Sequence, residues 1–488
     1  MAVLGAVLVA APAAAGPRLP GPRGKTAASL RAGRAARVQV YVHLRAVDPA
    51  ARAALGAAGL ALELVDAERR IAQGRIASDR LADLAALPVV TRVAPADRAR
   101  PRRGAVTSEG DLAARADLVR ADGFDGTGIV VGVVSDGADG IAASQATGDL
   151  PEVTVPLDEG CLPGEGEEGT AMLEVVHDLA PGARLLFSGA ATSLEFVAAV
   201  RCLVAAGARV IVDDLGFYGE PYFRDGAVAL AARAAVVAGV SYVTAAGNDA
   251  QGHVEQLFRP ALCGDFHAFG PGSSDCTEHV VVAPFDALDC TLQWNDPFGE
   301  AANDYDLLLV DENGDLLVES DDPQQGAEDP IERIEWTNPD AVERRLGIRV
   351  RREAGEARVL EMFCHGGRLE YLSPASSVFG HAAVTEVLTV AAIDVADPGR
   401  DDVEPFSSRG PAHLFFPVED RAKPDLAAFD QVATTVPGLA PFVGTSAAAP
   451  HVAAVAALLL AKNPFLAPVD VAAALRAGAV DVGPLGPD

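Results

Sequence analysis

Three short segments each set a polar side chain beside glycine at the end of an apolar element. In VVGVVSDGADG, Asp136 directly follows an apolar run. In GEEGTAM, Glu168 precedes a helical pattern, and in FVGTSAAAPHVAAVAALLL, Ser446 opens a long apolar one. An alcohol and two carboxyls can supply a nucleophile and a proton acceptor, because a serine hydroxyl attacks poorly until a neighbour takes its proton. The plainer reading is that a serine at a helix N-terminus is a cap.

The context of Ser446 is more specific than a cap requires. Gly444-Thr445-Ser446-x-Ala448-x-Pro450-His451-Val452-Ala453 resembles the nucleophile motif of subtilisin-like serine peptidases. The Asp136 segment resembles that family's aspartate motif, which also follows the first core strand. Ala245-Ala246-Gly247-Asn248 resembles the segment carrying the oxyanion-hole asparagine. Phe406-Ser407-Ser408-Arg409-Gly410-Pro411 and Lys423-Pro424-Asp425-Leu426 match stretches the family carries before its serine. The resemblance covers about 125–275 and 375–480. It implies serine-peptidase chemistry through an acyl-enzyme, with Ser446 as nucleophile. Asn248 and the Ser446 backbone N–H then donate to the oxyanion, and losing one such donor typically costs about 3 kcal/mol of transition-state stabilisation.

The chain departs from that pattern where the base should be. The family's histidine motif begins His-Gly-Thr-His, and the matching residues are Glu168-Gly169-Thr170-Ala171. A Ser or Thr is usual after the aspartate, and here Gly137 stands there. Either the chain is a pseudopeptidase that binds peptides without cutting them, or Glu168 takes the place of imidazole. The related sedolisin family, whose triad is Ser-Glu-Asp, offers a precedent for the chemistry though not for the positions. Free glutamate, with a pKa near about 4.3, is a weak base at neutral pH. A second carboxyl raises one pKa of a pair, so Asp136 can share a proton with Glu168 and orient it. The helix dipole at Glu168 acts in the opposite sense. The expectation is a Ser446, Glu168, Asp136 triad working at acidic to mildly acidic pH.

The histidines fit the base position poorly. His177 lies about two and a half turns beyond Glu168 on the same helix. His451 lies five residues after Ser446, roughly 140° around the helix from it. His381, in GHAAV, reads as packed or capping. Asp213 and Asp214 close the strand VIVDD, and Asp214-Leu215-Gly216 aligns with the Ser-Leu-Gly of the family's substrate-binding strand. The resemblance therefore makes Asp214, Leu215 and Gly216 substrate-binding residues, with Asp214 also an accessory acid that can hold a proton with Glu168. A solvated acid pair at a strand end is the alternative.

The elements that must position these residues follow from the hydropathy pattern. From Gly126 onward, apolar strands (128–134, 184–190, 208–214, 240–247, 386–394) alternate with helices (169–180, 193–206, 225–238, 446–462, 468–477). That alternation implies an α/β fold with a parallel sheet covered by helices on both faces, and function gathers at the carboxyl ends of such strands. Between 276 and 372 the period changes to two, with ENGD (312–315) as a hairpin turn, which predicts an inserted all-β sandwich. Residues 38–95 read as strand, helix, strand, helix, strand. This small α/β domain resembles the family's inhibitory propeptide, an intramolecular inhibitor of the peptidase. The expected division is a signal-like segment and linker (1–24), a propeptide-like domain and linker (25–104), a peptidase domain in two parts (105–275 and 373–488), and the insert (276–372).

Composition bounds the rest. The chain has 488 residues, 50% hydrophobic and 22% charged, with a net charge of −29. That is ample for large cores, and the acidic balance argues against a nucleic-acid partner. No apolar run reaches the roughly 20 residues of a membrane span. MAVLGAVLVAAPAAAG at the start, with Ala13-x-Ala15, resembles the end of a secretory signal, so a secreted, extracellular or periplasmic location is expected. Six cysteines suit that location. By position they fall into Cys161/Cys202, Cys263/Cys276 and Cys290/Cys364, though six cysteines allow fifteen connectivities. The acidic runs Asp304-Tyr305-Asp306 and Asp311–Asp315 offer oxygen ligands for a structural calcium, without EF-hand spacing, and a solvated hairpin is the simpler reading. No cofactor is required by the expected chemistry. A protein or peptide is the expected substrate, and an adhesive or carbohydrate-binding role through the β insert is the rival outside peptidase chemistry.

Overall fold

In this computed structural model residues 37–96, 100–101 and 108–480 are described, apart from 261, 263 and 273. The signal-like start, the linker up to residue 36 and Cys263 lie outside them. The chain divides into two compact units, Met1–Ala96 and Asp97–Asp488.

The first unit comprises β1 (Arg37–Leu44), α1 (Pro49–Ala57), β2 (Ala61–Asp66), β3 (Ile71–Ala77), α2 (Leu81–Ala85) and β4 (Val90–Pro95). Its sheet runs β2-β3-β1-β4, over a core of Val40, Val42, Leu55, Ile76, Leu84 and Val93. The strand β3 is absent from the sequence expectation. IAQGRIA lacks a clean apolar alternation, yet it is a central strand, paired antiparallel with both β1 and β2. Gln73, buried within it, supplies no apolar signal.

The second unit holds the α/β core expected from the sequence. After the short β5 (Arg100–Pro101) come β6 (Val130–Ser135), β7 (Val153–Thr154), α3 (Glu168–Leu179), β8 (Arg184–Gly189) and α4 (Ser193–Ala205). Then follow β9 (Val210–Asp213), β10 (Leu215–Gly216), α5 (Ala227–Val237) and β11 (Ser241–Ala245). Beyond the insert lie β21 (Leu388–Asp394), the hairpin strands β22 (Ala412–Phe415) and β23 (Val418–Arg421), β24 (Leu426–Asp430), α6 (Thr445–Lys462) and α7 (Pro468–Gly478). Seven strands form one parallel sheet in the order β24-β21-β11-β9-β6-β8-β7.

Strand residues alternate between the sheet's two faces. Val131, Val133, Val210 and Val212 join a core with α3 and α6. Val134, Leu186 and Ile211 join a second core with α4 and α5. By length and composition α6 is apolar enough to cross a membrane, but 78% of it is buried within the protein. It is the central helix of the first core.

The insert is two antiparallel sheets, β12-β19-β14-β17 and β16-β15-β18-β13-β20. Its strands are β12 (His253–Leu257), β13 (Glu278–Val282), β14 (Ala287–Trp294), β15 (Asp304–Val310), β16 (Leu316–Ser320), β17 (Ile331–Thr337), β18 (Arg344–Ala354), β19 (Val359–His365) and β20 (Arg368–Leu369). Trp294, Tyr305, Leu307, Ile348 and Met362 fill the space between them. The sheets take in β12, upstream of residue 276, because it pairs along its whole length with β19. Cys290 and Cys364 are direct partners on neighbouring strands β14 and β19 and form a disulfide. They are not on the first and last strands of the insert. A second disulfide joins Cys161 to Cys202.

Candidate active site

Three adjacent strands deliver three polar residues to one edge of the sheet. Asp136 follows β6, Asp214 follows β9 and Asn248 follows β11, and these strands are neighbours in the order β11-β9-β6. Glu168 is the first residue of α3 and Ser446 the second of α6. The two helices pack side by side, with α6 also lying across β9 and β11. Ser446 and Asp214 are 0% exposed and Glu168 2%, whereas Asp136 and Asn248 are half-buried.

The loop before Glu168 is clamped onto Asp136. Glu165 N–H donates to the Asp136 carbonyl (3.0 Å), Gly169 N–H to Gly137 O (2.9 Å) and Asp139 N–H to Gly166 O (2.8 Å). The Asp136 carboxylate accepts from Gly137 N–H at 2.6 Å. This close approach explains why glycine follows the aspartate here. A Cβ on Gly137 would meet Gly166 N at 2.3 Å. One on Gly166, where φ is +142°, would meet Asp136 Oδ2 at 2.1 Å. Gly137 and the loop that leads into Glu168 are thus two sides of one contact.

Asn248 is tied to the helix that carries the serine. Its Oδ1 accepts from Thr445 N–H and from Thr445 Oγ1–H, each at 3.0 Å. Thr445 Oγ1 in turn accepts from Gly247 N–H at 3.1 Å. With Oδ1 accepting from Thr445, the amide Nδ2 is the group that can donate elsewhere. The turn into α6 is fixed by Asp430, whose Oδ2 accepts from Gly444 N–H at 2.9 Å. Burial pushes Asp430 up to about 7, and Glu404 and Asp394 add to that against the opposing Gly444 N–H. Glu174, buried one and a half turns along α3 from Glu168, accepts from Ser144 Oγ and from Thr435 N–H and Oγ1. It anchors the chain leading to the serine. Sequence reasoning missed Asp430 and Glu174, because neither stands in a local motif and their partners are distant in the chain.

The acid pair at the end of β9 divides between the two faces. Asp213 continues the face of Ile211, where His381 Nε2 (2.8 Å) and Thr244 Oγ1 (3.0 Å) meet its carboxylate. Asp214 continues the face of Val210 and Val212, toward α3 and α6. It is therefore no solvated acid. Burial, then Glu168, then Asp136 drive its carboxyl well above the usual range.

The histidines lie elsewhere. His381 is engaged with Asp213 on the opposite face. His177 is in the last turn of α3. His451 donates from Nδ1 to Ala447 O at 2.8 Å, and its Nε2 points at Gly110, where an added Cβ would come within 1.9 Å. Burial pushes it down to about 4.

The acidic runs of the insert are engaged with protein groups. Asp306 accepts from Arg351 Nε at 2.9 Å, and Asp311 accepts from the N–H groups of Asn313 and Asp315 within its own turn. Among the described residues, only the half-buried Asp397 and the exposed Asp401 and Asp402 bring three acidic ligand atoms within 4.8 Å of one another.

Residues 334–488 match the model of the subtilase family. That span begins within the sandwich and contains Ser446, while Asp136, Glu168 and Asn248 precede it. No curated protein matches the chain. Among solved structures, the Clostridium perfringens CspB protease superposes with a TM-score of 0.51 at 16% identity, covering 77% of this chain and 93% of that one. The likeness is one of fold. The last third of the chain thus matches the subtilase family, and the described residues form an α/β core with an inserted β sandwich.

Proposed function

We propose that this protein is a secreted serine endopeptidase made as a zymogen, in which Ser446, Glu168 and Asp136 form the catalytic triad. The observation that carries the reading is the convergence at one sheet edge. Helices α3 and α6, one opening on an acid and the other on an alcohol, pack against each other. Strands β6 and β11, on either side of β9, supply a second acid and a side-chain amide held by Thr445.

Ser446 gives its proton to Glu168 as its oxygen attacks the scissile carbonyl. The tetrahedral oxyanion takes hydrogen bonds from Asn248 Nδ2 and the Ser446 N–H. Glu168 passes the proton to the leaving amine, which leaves an acyl-enzyme. Water then attacks, losing its proton to Glu168, and Glu168 returns a proton to Ser446 as the ester breaks. Asp136 orients Glu168 throughout. Because the base is a carboxyl, activity belongs at acidic to mildly acidic pH, and an optimum well above pH 8 contradicts the assignment.

Latency is supported by two features. Ser446 is fully buried, so a protein substrate reaches it only after something moves. The strand β5 lies antiparallel on β10, with Pro101 opposite Leu215 and Arg100 opposite Gly216. That is how an extended peptide adds to an exposed strand, and it supports Leu215 and Gly216 as substrate-binding residues. The two disulfides fit an oxidising compartment.

The rival reading is a peptide-binding pseudopeptidase. It is favoured by the absence of any histidine beside Ser446 among the described residues. The decisive experiment follows hydrolysis of a general protein substrate from pH 3 to 9 by the processed wild type, Ser446→Ala and Glu168→Gln. Loss of turnover in both variants supports the triad. Equal background in all three leaves the pseudopeptidase.

A further inference from the structure

We propose that Asp214 is a positioning residue for the reaction, a third carboxyl that shares a proton with Glu168 and thereby makes it a stronger base toward Ser446. The inference deepens the peptidase reading and rests on it.

Asp136 at the end of β6, half-buried, and Glu168 at the start of α3, buried, both lie close enough to the buried Asp214 at the end of β9 for their charges to act on it. Three neighbouring carboxylates away from water ionise fully only at a raised pH, because their charges repel and each loses hydration. Below that pH at least one proton remains. Its place follows from the surroundings. Asp136 is half-buried and accepts a short hydrogen bond from Gly137 N–H, which favours its charged form. Glu168 sits at a helix N-terminus, where the dipole also favours charge.

Asp214 has neither support. It is 0% exposed, and neither carboxyl oxygen has a hydrogen-bond partner. Ser135 lies near enough to ease its charge slightly, but the groups that act on it most strongly are acids: Glu168, Asp136 and Asp213. Asp213 belongs to the other face of the sheet and is met there by His381 and Thr244. The proton therefore rests on Asp214 and is shared toward Glu168.

The sharing has a chemical consequence. Two coupled carboxyls lose their protons in two steps that belong to the pair, and the second step is moved upward. The fully ionised pair is thus a stronger base than an isolated glutamate. General-base catalysis gains when the base's pKa lies closer to the working pH. An asparagine or serine at 214 removes the repelling charge and returns Glu168 toward ordinary glutamate behaviour.

The test is the pH dependence of kcat/KM for the processed enzyme, comparing wild type, Asp214→Asn, Asp214→Ser and Ser446→Ala. The rate at which a fluorophosphonate labels Ser446 is measured over the same range. The wild-type acidic limb is expected at a midpoint above the roughly 4.3 of free glutamate. Both Asp214 variants should bring that midpoint down by at least one pH unit. They should lower the plateau at least tenfold with little change in KM, and the labelling rate should shift in parallel. A uniform loss with an unmoved midpoint, or a wild-type midpoint already at the free-glutamate value, overturns the role of Asp214 and leaves the peptidase reading intact. Wild-type turnover no higher than that of Ser446→Ala overturns both.

Discussion

Thr445 makes a hydroxyl and a backbone N–H converge on one oxygen of Asn248, so the orientation of that amide is decided by the residue next to Ser446. Removing the Asn248 amide should lower kcat by about 100- to 1,000-fold with KM nearly constant, the loss expected for one oxyanion donor. Thr445→Val keeps the backbone contact and deletes the hydroxyl, so it should give a smaller fall in kcat of the same kind. Steady-state kinetics on a peptide ester checks both, and a change confined to KM speaks against an oxyanion role. Asn248 and Ser446 were legible in the sequence because each stands in a contiguous motif. Asp430, which holds Gly444, was not. Its function depends on a contact between a strand end and a loop fourteen positions later, and no local pattern announces it.

At the scale of elements, the junction of β6 with the loop before α3 is the tightest part of the site. Replacing Gly137 by the serine that subtilisin-like enzymes commonly carry should damage this protein, since its Cβ would enter the backbone of Glu165 and Gly166. Loss of activity with a lower thermal midpoint is expected for Gly137→Ser, and a gain in activity would refute the steric account. The parallel-sheet elements could be read almost residue by residue, because strands buried on both faces are continuous apolar runs. The strand β3 could not. It has polar residues and glycine at its centre, and its place is fixed by pairing on both sides. The first strand of the insert escaped for a related reason: HVEQL gains its partner from residues 359–363, about a hundred positions away.

The whole molecule carries its acidity inward as well as on its surface. Burial pushes Asp178 up to about 6, and Glu255, Glu278 and Asp306 up to about 7. In the unfolded chain such groups titrate near ~4. Their contribution to stability is complete below that value and is lost as pH rises through 6 to 7. His267 and His451, pushed down to about 4 by burial, act oppositely, costing stability as pH falls below about 6.5. The carboxyls are the larger group, and a net charge of −29 adds repulsion that acid relieves. The thermal midpoint should therefore be higher near pH 5 than near pH 8. A midpoint that climbs steadily over that interval would contradict this balance.

The sandwich interrupts the central sheet between β11 and β21, which lie edge to edge with Val243 against Leu388. During synthesis the earlier strands leave the ribosome with an open apolar flank. They gain their remaining neighbours only after the intervening β module has emerged. The alcohol arrives last of all, on a helix that packs on the finished sheet, so a truncated nascent chain holds the acids and the amide without it, and on the proposed reading such a chain is inert.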